Sequence, residues 1–165
     1  MVKLGELYRS RSPVLRRAIR KLRSLLRAII ATIEDKTLVR AQLGDFRIKR
    51  LSSLQRKANK NRWKGDEAFA YCGDLVGGRV VCNNLEDVYR FVELLKERLP
   101  GDQGAFVVQD WIARPNKRGY RALHVNLRLD VGNGFAPDLI PCEVQIRTRL
   151  QDAWGELTHD DIYKQ

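Results

Sequence analysis

A chain of 165 residues is long enough to bury one real core and too short for two ordinary domains, so a single domain is expected. Its 31 lysines and arginines against 20 aspartates and glutamates leave a formal charge of +11, which points to anionic partners such as nucleotide phosphates, nucleic acid or an acidic membrane surface. Three scattered cysteines, Cys72, Cys82 and Cys142, never form a Cys-x-x-Cys pair, which argues against a disulfide framework or a thiolate metal site and fits a reducing cytoplasm.

Ser12 and Pro13 read as an N-cap and a first-turn proline, after which Leu15, Ile19, Leu22, Leu26, Ile29 and Ile33 recur at helical spacing. The opposite face carries Arg16, Arg17, Arg20, Lys21, Arg23 and Arg27, either a solvated face or a contact for phosphates, lipid headgroups or RNA. These cations also break up the apolar stretch from Val14 to Ile33, so no signal peptide or membrane span is expected and the chain reads as soluble.

An extended segment near Thr37 to Gln42 and a turn at Gly44-Asp45 follow, then Ser52 or Ser53 opens a basic helix to about Trp63. Leu75 to Cys82 has the valine content of a strand, Asn84 caps a helix with Leu85, Val88, Phe91, Val92 and Leu95 on its apolar side, and Pro100-Gly101 ends that helix. Ala105 to Ile112, Arg121 to Leu129 and Leu139 to Ile146 read as three more strands, the last two separated by Gly132-Asn133-Gly134, and a final helix begins near Arg149. Some connections are too short for parallel crossovers, so the expected fold is α/β in the α+β sense, one mixed sheet of about five strands with helices packed on it. Residues 1–45 supply an N-terminal basic helix and first strand, and residues 46–165 the core of the same domain.

Asp74 and Glu143 are carboxylates on buried-looking strands, where charge needs a partner. Either each pairs with an arginine, or the two meet across neighbouring strands and share a divalent cation with substrate phosphates. Alternation places Glu143, Gln145 and Arg147 on one strand face and Val144 and Ile146 on the core-facing one, a row suited to metal binding, hydroxyl activation and phosphate clamping. Arg47 and Lys49 point one way from extended chain, and Ser53 with Lys57 stands at a helix start whose free amides favour an anion, so the four either surround a triphosphate or form ordinary basic surface. The loop from Arg114 to Tyr120, with Lys117, Arg118 and Gly119, suits a stacked base with its phosphates, and His124 lies on the same strand face as Tyr120. Two histidines, His124 and His159, give no support for a His-based metal hydrolase.

The ordered set Arg47-x-Lys49, Ser53, Lys57, Asp74, Arg79, Gly119-Tyr120-Arg-Ala-Leu-His124 and Glu143-Val-Gln-Ile-Arg-Thr148 resembles the RelA/SpoT synthetase family, from about Phe46 to Lys164. The resemblance implies a nucleotidyltransferase-like fold in which Mg2+, held by Asp74 and Glu143, bridges ATP phosphates. It implies ATP binding by Arg47, Lys49, Ser53, Lys57 and Arg79, with arginine stacked on adenine, and guanine stacked on Tyr120. It puts Lys117, Arg118, His124 and Arg147 with the acceptor nucleotide, and Gln145 beside Glu143 at the ribose hydroxyl. The implied activity is transfer of the ATP β,γ-diphosphate to the 3′-hydroxyl of GDP or GTP, making (p)ppGpp. Toxin members of the family would bring tRNA as acceptor and an antitoxin partner; a homo-oligomer is a further expectation, and a catalytically silent nucleotide- or RNA-binding module a third reading. The family usually reads Lys-Pro-Asn-Gly-Tyr where this loop reads Asn116-Lys-Arg-Gly-Tyr, which leaves acceptor choice open. No segment resembles the hydrolase or regulatory domains of long relatives, as expected of a minimal synthetase or an excised core.

Overall fold

The computed structural model describes residues 3–33, 40–99, 106–117, 119–132 and 137–163, with side chains through residue 157. Its elements run α1 (Leu4–Ile33), β1 (Ala41–Ile48), α2 (Leu51–Asn61), α3 (Glu67–Tyr71), β2 (Val76–Cys82), α4 (Leu85–Arg98), β3 (Val107–Asp110), β4 (Leu123–Asp130), β5 (Leu139–Thr148) and α5 (Arg149–Tyr163). The strands form one sheet in the order β1-β2-β5-β4-β3, with β2 and β5 parallel and the other neighbours antiparallel. The expected mixed five-stranded sheet is therefore present.

Helices α1 and α4 cover one sheet face. Leu15, Ala18, Leu22, Leu26 and Ile29 of α1, and Val88, Phe91, Val92 and Leu95 of α4, meet Val76, Val80, Val125, Leu127, Val144 and Ile146, all buried. Each large aliphatic side chain so buried contributes about 1.5–3 kcal/mol, and this apolar layer fixes the register of β2, β4 and β5. Asn84 caps α4 as expected, its side chain accepting from the Asp87 amide at 2.8 Å.

Several boundaries differ from expectation. Strand β3 ends at Asp110 instead of Ile112, because the Asp110 carboxylate accepts from the Ile112 and Ala113 amides and turns the chain there. Helix α1 starts at Leu4 and runs through Pro13, because the turns before the proline are held by tertiary contacts. Tyr8 Oη donates to the Lys49 carbonyl at 2.8 Å, Tyr8 packs against Phe69, and Arg11 pairs with Asp138 at 2.9 Å. Those contacts outweigh the one hydrogen bond a proline removes, and Ser12, no cap, accepts from Arg16. Gly44 and Asp45 are not a turn but an irregularity within β1, where the pairing shifts between Leu43 and Phe46. Helix α2 begins at Leu51, one residue before Ser52 and two before Ser53, with Arg50 at the N-cap and no side-chain cap. The expected extended residues 37–39, the Pro100-Gly101 stop, Ala105, the turn at 133–134 and Lys164 lie outside the described residues.

No described helix is long and apolar enough to cross a membrane, and all three cysteines are free and buried.

Candidate active site

The sheet face opposite α1 and α4 carries the polar residues. On β5 the buried Cys142, Val144 and Ile146 alternate with Glu143, Gln145 and Arg147, and on β4 the buried Leu123, Val125 and Leu127 alternate with His124, Asn126 and Arg128. Pairing sets Gly77, Arg79 and Val81 of β2 beside Glu143, Gln145 and Arg147, while His124 stands opposite Gln145 and Asn126 opposite Glu143. Period-two alternation in three adjacent strands thus makes one continuous polar floor.

Asp74 sits in the turn leading into β2. Lys49 Nζ donates to its Oδ2 at 2.5 Å and Lys57 Nζ to its Oδ1 at 2.7 Å. Lys57 reaches it because Leu54 and Ala58 bury the other face of α2. Burial alone would raise the Asp74 carboxyl, but the two ammoniums hold it well below the usual carboxylate range. The same carboxylate, with burial as the larger cause, pushes the Cys72 thiol up to about 11, and Cys72 Sγ donates to Asp74 Oδ1 at 3.3 Å.

Glu143 lies at the centre of the floor. Gln145 Nε2 donates to its Oε1 at 2.9 Å and His124 Nδ1 stands 3.3 Å from its Oε2. Burial would raise its carboxyl, yet these two neighbours outweigh that and leave it below the ordinary value. Tyr120 Oη is 2.8 Å from His124 Nε2. Burial raises the Tyr120 phenol, which keeps its proton, so the partners assign donation from Tyr120 to Nε2 and from Nδ1–H to Glu143. Arg147 donates to Gln145 Oε1, stands 5.3 Å from the Tyr120 ring centre and is almost fully buried.

Two arginines lie across glycines. A Cβ on Gly77 would come 3.4 Å from Arg47 Cγ, and one on Gly44 would come 3.0 Å from Arg79 Cδ. The missing side chains leave room for both guanidinium groups on the site side of β1 and β2. Helix α5 closes that side: Arg79 Nη1 donates to Asp152 Oδ1 at 3.0 Å and to Glu156 Oε1 at 2.6 Å, and Arg147 Nη1 reaches Asp152 at 3.4 Å.

The sequence-predicted residues Arg47, Lys49, Lys57, Asp74, Arg79, Tyr120, His124, Glu143, Gln145 and Arg147 therefore gather on or beside one face. Neither carboxylate pairs with an arginine: lysines serve Asp74, and His124 with Gln145 serves Glu143. Ser53 is half-buried within the first turn of α2, and Lys117 is exposed on its loop without a hydrogen bond or ion pair to a described residue. Arg118 lies outside the described residues. Missed from sequence were Asp152 and Glu156, whose one-turn spacing after the Arg147 strand was the available signal, and Cys72, Gly44 and Gly77, whose parts emerge only from the folded contacts.

Among the described residues no group of three or more His, Cys, Asp or Glu side chains forms a metal cage. Asp74 and Glu143 nonetheless feel each other's charge. Two oxygen-only carboxylates, one already matched by two ammonium groups, fit a hard divalent ion that takes its remaining ligands from water and phosphate.

Over 120 residues the chain is 32% identical to the GTP pyrophosphokinase YwaC of Bacillus subtilis, a stretch covering 70% of this chain and 56% of that one. It is 26% identical over 154 residues to the GTP pyrophosphokinase YjbM of the same organism, covering 90% and 70%. The chain thus spans little more than half the length of YwaC. The solved structure of the small alarmone synthetase 1 from Bacillus subtilis shares the fold, with a TM-score of 0.80 at 24% identity over 96% of this chain and 80% of that one. The structure of that enzyme bound to its product pppGpp gives 0.75 at 23% identity, over 91% and 76%. Residues 46–165 match the family described as the region found in RelA / SpoT proteins, and the chain belongs to that family.

Proposed function

We propose that the protein is a GTP diphosphokinase that transfers the β,γ-diphosphate of ATP to the 3′-hydroxyl of GDP or GTP, with AMP as the leaving group. The observation that carries this reading is the unbroken polar floor from Asp74, with its two lysines, through Glu143 to Tyr120. One end offers cations for a triphosphate and the other an aromatic ring for a base.

In this reading Arg47 and Arg79, whose stems pass over Gly77 and Gly44, offer guanidinium groups on which adenine stacks, Arg79 exchanging its bonds to Asp152 and Glu156 for the base. Lys49 and Lys57 exchange the Asp74 carboxylate for the ATP phosphates, with Ser53 in the adjoining helical turn as a further donor. Tyr120 stacks on the acceptor guanine, Arg147 beneath it steadies the ring, and Lys117 and Arg118 of the preceding loop meet acceptor phosphates. Glu143, ionised and oriented by His124 and Gln145, takes the proton from the ribose hydroxyl as oxygen attacks the β-phosphorus. Asp74 and Glu143 would hold Mg2+, which neutralises phosphate charge and stabilises the developing alkoxide when bound.

YwaC and YjbM are named GTP pyrophosphokinases, and small alarmone synthetase 1 was crystallised with pppGpp, which supports a guanine acceptor here. A tRNA acceptor is the second reading, motivated by the arginine face of α1. That helix packs on the sheet face opposite the polar floor, Arg16 is bonded to Ser12 and Arg23 lies over the Phe46 ring, which favours a small acceptor.

The test is incubation with ATP, Mg2+ and a mixture of GMP, GDP, GTP, ATP and tRNA, followed by mass spectrometry. The expected gain is one diphosphate on GDP or GTP; label on tRNA alone would replace the acceptor, and no transfer at all would refute the reading.

A further inference from the structure

Asn126 has a place in this site that neither the motif strings nor the acceptor and donor clamps account for. It stands directly opposite Glu143 in the β4–β5 pairing, on the polar side of a strand whose alternate residues Val125 and Leu127 are buried. Side chains directly opposite in an antiparallel pair have Cβ atoms roughly 4.5–5.5 Å apart. On its other side Asn126 meets the turn that carries Asp74: a Cβ added to Gly73 would lie 3.2 Å from Asn126 Oδ1. The amide therefore bridges the space between the segments bearing the two carboxylates, and Gly73 is the residue whose missing side chain admits it.

Its neighbours do not use it. Glu143 is served by His124 and Gln145, Asp74 by Lys49, Lys57 and Cys72, and the side-chain amide of Asn126 makes no hydrogen bond with a described residue. An asparagine is a poor strand former, and a half-buried amide without a protein partner destabilises the strand that carries it. A neutral carbonyl oxygen between two anionic ones supplies what a hard cation lacks when two carboxylates alone cannot fill its coordination shell.

We infer that Asn126 is a third oxygen donor toward the divalent ion of Asp74 and Glu143, lending its Oδ1 to the ion or to a water bound on it. This rests on the diphosphokinase reading. It adds to that reading a residue that sets metal affinity and leaves nucleotide stacking untouched.

The experiment titrates Mn2+ into the full chain held with an ATP whose α,β-bridge is methylene, reading free Mn2+ by electron paramagnetic resonance. Wild type is compared with Asn126→Ala, the isosteric Asn126→Asp and Glu143→Gln. The expected pattern is loss of the bound ion in E143Q, about tenfold weaker binding in N126A, and binding at least as tight as wild type in N126D, whose added carboxylate strengthens the donor set. Unchanged affinity in N126A with loss in E143Q overturns this inference alone. Unchanged affinity in E143Q overturns the metal site and the inference with it. If the alanine variant does not fold, N126D decides, and affinity weaker than wild type there overturns the inference.

Discussion

The Arg147 guanidinium fills the space beneath Gly155, so closely that a Cβ on that glycine would lie 2.6 Å from Nη1. Replacing a helical glycine by alanine ordinarily stabilises by about 1 kcal/mol, whereas overpacking costs about 1–3 kcal/mol. Gly155→Ala is expected to bring no gain in Tm and to raise KM for the acceptor, since the Arg147 guanidinium must shift against Gln145 and the Tyr120 ring. Thermal unfolding and acceptor titration measure both, and a stabilised variant with normal KM would show that α5 does not constrain Arg147.

Asp74 is the common partner of two lysines, and its removal leaves both ammoniums without a counter-charge. Asp74→Asn is expected to cost about 1–3 kcal/mol at neutral pH. The sign with pH follows from the depressed carboxyl. Its contribution is complete above the unfolded value of about 3.9 and fades as pH falls from there toward the folded value. Urea unfolding at pH 7, 5 and 3 should give a gap between wild type and D74N that is steady from 7 to 5 and smaller at 3. A gap that widens in acid contradicts the assignment.

Tyr120 offers both a ring and a hydroxyl. Tyr120→Phe keeps the ring over Arg147 and loses the hydroxyl contacts with His124 and Arg147, so acceptor KM should change by less than about tenfold. Tyr120→Ala removes the stacking surface, and stacking is worth about 1–3 kcal/mol per base, or roughly ten- to a hundredfold. Steady-state kinetics with GDP or GTP separate the two, and equal losses would point to the hydroxyl instead of the ring.

Leu22 is fully buried on α1, where its side chain approaches Gly78 of β2. Leu22→Ala should cost about 2–5 kcal/mol in chemical denaturation. It should leave KM for both substrates unchanged where the variant is folded, because the helix covers the face opposite the polar floor.

The strand pattern made much of this site legible. Strict alternation in residues 143–147 fixes which side chains share a face, and the apolar runs of β2 and β5 place them centrally in the sheet. Other features depend on contacts distant in sequence. Pro13 looks like a helix start until Tyr8 and Arg11 are seen bonded to Lys49 and Asp138, and Gly44-Asp45 looks like a turn until β1 is paired with β2. Helix α3 is five residues long, too short for helical periodicity to declare it. The lysine partners of Asp74 were each singled out, but as phosphate ligands; their bonds to the carboxylate needed the fold.

Joining ATP and a guanine nucleotide through one diphosphate requires that every transfer release one AMP. A 31P NMR time course with ATP, Mg2+ and GDP or GTP follows both products in one sample. AMP and a 3′-linked diphosphate are expected to appear in equal amounts, with both lost in Glu143→Gln. Release of ADP or inorganic phosphate in place of AMP, or an undiminished rate in E143Q, would contradict the diphosphokinase reading.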